Sequence, residues 1–513
     1  MGRCVDGFDL RHGAGRSGGA LALTLGALAV VLATVAVLAA GVPEALAQCA
    51  DCVPGNASGS NAIAWGTGSA ASGTNSTAVG VNAQATSLES TATGEGAQAT
   101  GSSATATGNF ALATGWDSTA TGQNAQATGA YSTATGQDAH ATGANSTATG
   151  VQAQASGTNS TANGFFAHAT ATSATATGQN AWASGLNSTA TGDSAQATGV
   201  LSTATGQDAH ATGVNSTATG QAAQATGANA SAYGQNAKAT ANFATASGVD
   251  AQATGMQSTA TGYGAQATAF ASTATGQGAA ATGVVSTATG VTAQATGASS
   301  TATGGGAWAT GDSSTANGAF ARATGASSTA AGFLAQATAD NATALGQGAT
   351  AGFANSMALG QGVVTTRADQ VSIGSATNTY TLAGIASAQS RAAQTGATNF
   401  VTSDQAGNLA VSNYGPADIA RLDSRVGALE SSVLGGMAKA YEGTAMALAM
   451  AGGALPGDAN YAVSINWGTF QGQNAFAGTA AIRLSDHLQL NGGIGVGAGQ
   501  GTVGGRAGLM LTW

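Results

Sequence analysis

The sequence predicts a mainly β protein: a long parallel β-solenoid, then a short coiled coil, then a helix with four β-strands. Two observations support this prediction. Glycine recurs every 14 residues from Gly66 to Gly360 with no insertion or deletion, and such a short fixed period is typical of stacked identical coils. Beyond the repeat, an apolar heptad pattern precedes four strand-length segments that end at Trp513.

The composition narrows the class of function. Of 513 residues, 80 are Gly and only 6% are charged, whereas an ordinary soluble domain carries roughly 25% charged residues. The 12 Lys and Arg residues against 21 Asp and Glu give a formal net charge of −9. This balance excludes the basic footprint of a nucleic-acid-binding protein, so we expect no nucleic acid among the partners. The strict period argues against a disordered linker.

Residues 1–47 have the pattern of a cleaved export signal. Basic residues precede an uncharged apolar run, Ala20–Ala40, and a small-x-small cleavage site ends at Ala47. A retained transmembrane helix is the alternative, because the run is long enough to span a bilayer.

Two cysteines, Cys49 and Cys52, lie in a predicted N-terminal tip segment, residues 48–60. A redox Cys-x-x-Cys motif needs a βαβ context and a zinc site needs further ligands nearby, and neither follows in the sequence. We therefore expect a disulfide formed in an oxidising compartment, within one chain or between chains.

The repeat defines a head over residues 61–362. One unit runs from Gly122 to Thr135, and each half holds one short strand and one tight turn, in which glycine supplies positive φ. Alternation along the strand directs Ala125 and Ala127 inward, which leaves a thin interior filled by methyl groups. Charged and bulky residues share the column between these alanines, so that column faces solvent or a partner. The candidate ligand-contact residues of this column are Gln126, His140, Gln154, His168, Trp182, His210, Lys238, Trp308 and Arg322.

The other half-repeat, Ser-Thr-Ala-Thr, forms a second outer face. We expect Ala120 to point inward, and Thr119 and Thr121 to point outward. A solenoid that buries mostly Ala gains little per residue, so we expect several chains to pack side by side through these Thr ladders. The alternative is an exposed Thr face that binds ice or another surface. Aromatic residues near the turns either add apolar contacts or pack against the turns; they are Trp116, Tyr131, Phe165, Phe166, Tyr263 and Phe270.

Three segments near the ends of the head, Ser76–Gly80, Ala342–Gly346 and Ser356–Gly360, resemble a known repeat. They are similar to the Ser-Val-Ala-Ile-Gly repeat in the head of YadA-like trimeric autotransporter adhesins. This resemblance implies a left-handed parallel β-roll and a homotrimer. Elsewhere in the head Thr replaces Val and Ile, so the apolar subunit contact of that family is not expected over most of its length.

The head repeat is predicted to end at Gly360, and the segment over residues 363–400 resembles the neck of the same family. Residues 401–436 are predicted to form a connector and a coiled-coil stalk. The stalk core comprises apolar residues at alternating spacings of three and four: Ile419, Leu422, Val426, Leu429 and Val433. An ordinary amphipathic helix is the alternative, because the pattern covers only two heptads.

Residues 437–513 are predicted to form a membrane anchor from one helix and four strands. The predicted strands are Tyr461–Phe470, Ala475–Leu484, Leu488–Val496 and Arg506–Trp513. Four strands cannot close around a helix, whereas three chains supply twelve strands around three helices. The terminal Trp513 is typical of outer-membrane strands, and a soluble β-meander is the alternative.

The anchor resemblance is carried by Ala445–Met450, Trp467-Gly468, Gly472–Ala475 and Leu484–Asp486, which are similar to the same family. It implies a homotrimeric adhesin in the outer membrane, inserted by the barrel-assembly machinery, whose head binds an unknown host or surface ligand. We expect no enzymatic activity, catalytic residue, metal or cofactor.

Overall fold

The structure is a computed structural model that describes residues 55–513 in two units, residues 55–378 and residues 379–513. The predicted export signal, Cys49 and Cys52 lie outside the described residues.

The first unit is a parallel β-solenoid, in which each 14-residue coil contributes a strand of two residues and a strand of three. The two-residue strands run from Asn56–Ala57 to Thr350–Ala351, one every 14 residues, and form one sheet of 22 strands. The three-residue strands run from Ile63–Trp65 to Val371–Ile373 with the same spacing. We call these the two-residue sheet and the three-residue sheet.

Pairing along both sheets is parallel and keeps one register throughout the head. Thr119 pairs with Thr133, and Gln126 pairs with His140, so each residue lies beside its equivalent in the next coil. Identical or similar side chains therefore stack in columns along the solenoid. The predicted solenoid is confirmed. Its last three-residue strand, Val371–Ile373, lies within the segment predicted as the neck, because the repeat continues for one coil beyond Gly360, to Gly374.

The interior of each coil is filled by small side chains, as predicted from the alternation. Ala120, Ala125 and Ala127 have no exposed surface. Ser118 is also fully buried, and its hydroxyl donates a 2.7 Å hydrogen bond to the carbonyl oxygen of Gly115 in the preceding turn. The serine thus satisfies its own polar group inside the coil while it also holds the turn.

Each coil closes through two tight turns with a residue of positive φ at the third position. In the turn that begins at Gly122, the backbone N–H of Ala125 donates to the carbonyl oxygen of Gly122 at 3.3 Å, and Asn124 has φ of 54°. Asn and Asp recur at this position because they tolerate the left-handed conformation better than other non-glycine residues. Their side chains also link coils, since Asn124 Nδ2 donates to Asp138 Oδ1 at 3.1 Å.

Glycine is needed at another position, the first residue of one of the two turns. Gly122 has φ of 132°, a conformation that side chains with a Cβ rarely adopt. A Cβ at Gly122 would also lie 2.4 Å from the carbonyl oxygen of Gly136 in the next coil. The 14-residue glycine period therefore records both backbone conformation and the close contact between coils.

The second unit contains short elements, one long helix and an antiparallel sheet. Its elements are helix Ala388–Ala392, strands Val401–Ser403 and Leu409–Val411, helix Pro416–Met450, and strands Tyr461–Phe470, Gln473–Ser485, Leu488–Gly497 and Val503–Leu511. The last four strands pair consecutively as antiparallel neighbours. We call helix Pro416–Met450 the long helix and these four strands the anchor sheet. The predicted mainly β fold, with a helix and four strands after the solenoid, is confirmed.

The fourth strand begins at Val503, three residues before the predicted start, and ends at Leu511 instead of Trp513. The sequence Gly504-Gly505 looks like a turn, yet it pairs with Ile494 and Gly495 in the third strand. Glycine at this position makes room for the long helix, because a Cβ at Gly504 would lie 2.8 Å from Met446 Sδ.

No helix in residues 55–513 combines the length and the apolar character that a membrane crossing by a helix requires.

Two glycines of the head make a matched test of this packing. Gly206→Ala introduces a Cβ at φ of 127° and 2.6 Å from the carbonyl oxygen of Gly220, so we expect a loss of about 1–3 kcal/mol. Gly305→Ala is the control, because Gly305 has no positive φ and the nearest atom to an added Cβ is the carbonyl oxygen of Val291, 4.0 Å away. Thermal unfolding of the full-length protein in detergent should show a clearly lower midpoint for Gly206→Ala only. Equal midpoints for the two variants would contradict this account.

Candidate functional site

The candidate ligand-contact column lies on the outer surface of the two-residue sheet. Gln126, His140 and Gln154 come from successive coils and lie side by side, since their strands pair in register. The alanine that follows each of them, such as Ala127, is fully buried. We call this column, at residue 126 and every 14 residues in both directions, the outward strip. A second column beside it, which includes Thr128, is also exposed.

Planar side chains of the outward strip stack along the solenoid axis. The ring centroids of His168 and Trp182 are 4.7 Å apart at an interplanar angle of 20°. The guanidinium of Arg322 lies 4.5 Å from the ring centroid of Trp308, which is cation–π geometry. The strip therefore presents a row of amide, imidazole, indole and guanidinium edges to the surroundings.

The predicted contact residues form one line and not one pocket. His140, His168 and His210 belong to different coils, and Gln154 lies between the first two. Lys238 and Arg322 lie farther along the same line. In residues 55–513, no group of three or more His, Cys, Asp or Glu side chains could hold a metal ion. The arrangement suits repeated contacts with an extended surface.

Charge is distributed unevenly over the described part of the head. All acidic residues of this part lie in turns: Glu89, Glu95, Asp117, Asp138, Asp193, Asp208, Asp250, Asp312, Asp340 and Asp369. The outward strip contains two basic residues, Lys238 and Arg322, and no acidic one. The outer face of the three-residue sheet contains no charged residue. Both faces are therefore nearly neutral, between acidic turn ridges.

The outer face of the three-residue sheet is dominated by Thr pairs. Thr119 is partly buried by its neighbours in the sheet, and Thr121 is exposed. Apolar residues replace these threonines near the two ends of the sheet, and Tyr233 interrupts the threonines in its middle. The apolar residues near the ends are Ile63, Trp65, Val79, Ala331, Leu345, Met357, Leu359, Val371 and Ile373. We call this surface the Thr face.

The turn aromatics form pairs on the surface. Trp116 and Tyr131, from neighbouring coils, have ring centroids 4.6 Å apart in an edge arrangement, and adjacent Phe165 and Phe166 have centroids 4.3 Å apart. All four nevertheless keep more than a third of their surface exposed. They therefore pack against each other and still present apolar surface.

The predicted stalk core lies on the exposed surface of the long helix. Its five residues, Ile419 to Val433, each expose between 51% and 65% of their surface in the single chain. Val426, Leu429 and Val433 line one shallow apolar depression with Leu434. An apolar row of this kind on an otherwise polar helix is what a coiled-coil seam requires.

The anchor sheet has one face against the long helix and one apolar outer face. On the helix side, Ala445, Met446 and Ala449 pack against Ala475 and Ala477.

On the other side of the first anchor strand, Tyr461, Val463, Ile465 and Trp467 alternate with inward residues and are exposed. This alternation is the pattern of a membrane-spanning strand. Trp513 follows the last strand and is fully exposed.

Two polar attachments in this unit escaped the sequence reasoning. Glu442 is fully buried against the turn before the fourth strand, and the carbonyl oxygen of Gly452 is bound by side chains of the first two strands. The only signal of the first is that Glu442 is a lone acidic residue in an Ala-rich helical segment. No signal in the sequence marks the attachment of the Gly452 carbonyl, because Ser and Thr are ordinary strand residues.

A repetitive solenoid joined to a helix and a β-sheet with an apolar outer face defines a surface-displayed protein with a C-terminal membrane anchor. Residues 454–513 match the model of the YadA-like membrane anchor domain. The model of the YadA head domain repeat matches residues 57–83, 85–111, 113–139, 141–167, 169–195, 197–265 and 295–362. The chain belongs to the YadA-like trimeric autotransporter adhesins, a homotrimeric family with an outer-membrane anchor and a surface-exposed head.

Among solved structures, the crystal structure of the collagen-binding domain of Yersinia adhesin YadA is similar to this chain. The sequence identity is 25%, the TM-score is 0.24, and the match covers 36% of this chain and 89% of that chain. No match was found among the curated proteins. The matches to the head and anchor models, and not this structural likeness, show the family of the chain.

The stacked pair in the outward strip predicts a pH-dependent signal. Burial lowers the pKa of the His168 imidazole below its usual value, so the folded state favours the neutral ring. The stability from this pair is present above about pH 6.5 and is lost as the pH falls through the folded-state pKa.

We expect Trp emission to fall over this acidic range, because a protonated imidazole quenches the neighbouring indole of Trp182. The variant His168→Gln should lose this pH-dependent component. His140→Gln, which removes a histidine with Gln neighbours on both sides, should keep it. Identical pH profiles in all three proteins would refute the assignment.

Proposed function

We propose that the outward strip is the adhesive surface of the head, which attaches the cell to host cells, matrix or other surfaces. The repetition of this strip over successive coils is the observation that supports the proposal. Successive strands of a sheet are about 4.8 Å apart, so 22 coils extend the strip over roughly 100 Å. Three copies in a homotrimer triple the number of contacts.

The physical basis of the proposed adhesion is multivalency. A single coil offers one amide or ring edge and one hydroxyl, which is too little for a stable complex. Once one coil is bound, the next faces the ligand surface at a high effective concentration, so avidity exceeds the affinity of one contact by orders of magnitude. The same strip on another cell is a candidate partner, which would produce autoaggregation. This function needs no catalytic step, metal or cofactor.

We assign the Thr face to the contact between subunits. In a trimer whose axis runs along the solenoids, a column that faces the axis meets the same column of the other two chains. A lysine in that column would face two other lysines, and this repulsion is costly at short range. The Thr face is free of charge, whereas the outward strip contains Lys238 and Arg322. The apolar residues at its two ends then pack against their copies.

The remaining segments of the chain export the head and anchor it. Cleavage after Ala47 releases the chain into the periplasm, where Cys49 and Cys52 are oxidised to a disulfide, within one chain or between chains. The barrel-assembly machinery then inserts three anchor sheets that close into twelve strands, with Trp513 as part of the C-terminal signal. The long helix forms the stalk through Ile419, Leu422, Val426, Leu429 and Val433 before it enters the pore, and the anchor helps to export the head.

Adhesion is tested by display of the full-length chain on a non-adherent bacterium. The strip variant combines His140→Ser, His168→Ser, Trp182→Ser and His210→Ser. The control variant makes four substitutions at exposed turn positions: Gln123→Ser, Gln137→Ser, Gln179→Ser and Gln207→Ser. Binding of cells is measured on collagen, other matrix proteins, epithelial cells, polystyrene and a lawn of the same cells.

We expect the strip variant to lose at least tenfold in bound cells on each surface that the native head binds, with equal surface display. The control variant should stay within twofold of the native protein. Equal losses in the two variants, or native binding by the strip variant, would assign adhesion to another surface.

The subunit contact is tested by charge on the Thr face. Thr261→Lys with Thr289→Lys, which have Thr275 between them, places like charges from three chains around the axis. We therefore expect a lower thermal midpoint of the detergent-solubilised trimer. Gln266→Lys with Gln294→Lys, on the two-residue sheet of the same region and with Ala280 between them, is the control and should leave the midpoint unchanged. If the Thr variant melts like the control, the Thr face is exposed. Thermal hysteresis would then test the ice-binding alternative.

A further inference from the structure

A buried carboxylate joins the long helix to the turn between the third and fourth anchor strands. Glu442 has no exposed surface. Its Oε1 accepts hydrogen bonds from the backbone N–H groups of Gly499 and Gln500, at 2.6 and 2.8 Å. Its Oε2 accepts from the backbone N–H and the hydroxyl of Thr502, at 3.2 and 2.6 Å.

This arrangement is specific for a carboxylate. Four donors converge on two oxygens, and an ionised carboxylate is an acceptor at both. A glutamine of the same shape would turn its NH₂ group toward backbone N–H donors and leave them unsatisfied. The fit is also steric, because a Cβ at Gly497 would overlap with Glu442 Cδ. Glycine at this position makes room for the carboxylate.

A second attachment holds the chain just beyond the C-terminal end of the long helix. The carbonyl oxygen of Gly452 accepts from Asn466 Nδ2 at 2.7 Å and from Thr479 Oγ1 at 3.0 Å. Ser464 Oγ donates to the same carbonyl at 3.2 Å. The two attachments are ten residues apart, and Met446 packs against Gly495 and Gly504 between them.

We propose that Glu442 is a positioning residue that sets the depth and the rotation of the long helix against the anchor sheet. A slip of one helical turn would move the carboxylate about 5.4 Å from its four donors, and the Gly452 carbonyl would leave its own three donors at the same time. The polar contacts at both ends and Met446 against Gly495 and Gly504 therefore select the same single register. The chain therefore leaves the anchor at one defined height.

The test compares hydrogen–deuterium exchange of the full-length trimer in detergent micelles. Glu442→Gln keeps the size of the side chain and removes its charge. We expect the amides of residues 499–502 to exchange at least tenfold faster, while those of Tyr461–Phe470 are unchanged. Asp486→Asn, in the exposed turn between the second and third strands, is the control and should leave residues 499–502 unchanged.

Two further variants separate positioning from a general loss of stability. Thr502→Val removes one donor and should accelerate exchange of residues 499–502 to a smaller extent. The double variant with Glu442→Gln should be no faster than Glu442→Gln alone, because the hydroxyl acts through the carboxylate. If Glu442→Gln fails to assemble, Thr502→Val alone decides the matter. Unchanged exchange at residues 499–502, or a uniform increase over the whole anchor sheet, would overturn the proposal.

Discussion

The close approach of successive coils is the constraint on which the head depends. The carbonyl of Gly136 occupies the space where Gly122 would carry a Cβ, so the backbone itself fills most of the volume between coils. Only Ala and Ser fit inside, and their burial contributes little per residue. Cohesion therefore comes mainly from the parallel ladders of backbone hydrogen bonds and from the turn ladders of Asn and Asp. Because the interior is uniform, every outward column is free to vary without a cost in packing.

The sequence predicts the head well because one rule governs every coil. The glycine period sets the coil length, and alternation places Ala120 inside and Gln126 outside, as observed. The glycine period does not predict that Asn124 has a positive φ, because a glycine at another position of the turn could supply this conformation equally well. The sequence likewise does not show that Ser118 is buried and bonds to the turn, because a column of serines is equally compatible with an exposed position. Both depend on backbone conformation, which the period alone does not contain.

The anchor is predictable in its elements and less so in its contacts. Strand lengths and the apolar alternation from Tyr461 to Trp467 indicate a membrane sheet, and the family match agrees. The strand start at Val503 and the buried Glu442 depend on how the helix lies on the sheet. Those contacts join residues about sixty positions apart, and no local pattern encodes them. The head thus obtains its structure from repetition, whereas the placement of the helix on the anchor sheet depends on individual contacts between distant residues.

The uninterrupted pairing of each residue with its equivalent 14 positions on has a consequence for the history of the gene. Every coil presents the same surface above and below, so an in-frame duplication or deletion of whole coils joins without a mismatch. The reach of the head above the cell can therefore change in small equal steps while its fold and its trimer contact stay as they were. Length in such a protein is a trait that recombination between near-identical repeats can adjust within a population, independently of the anchor that holds it.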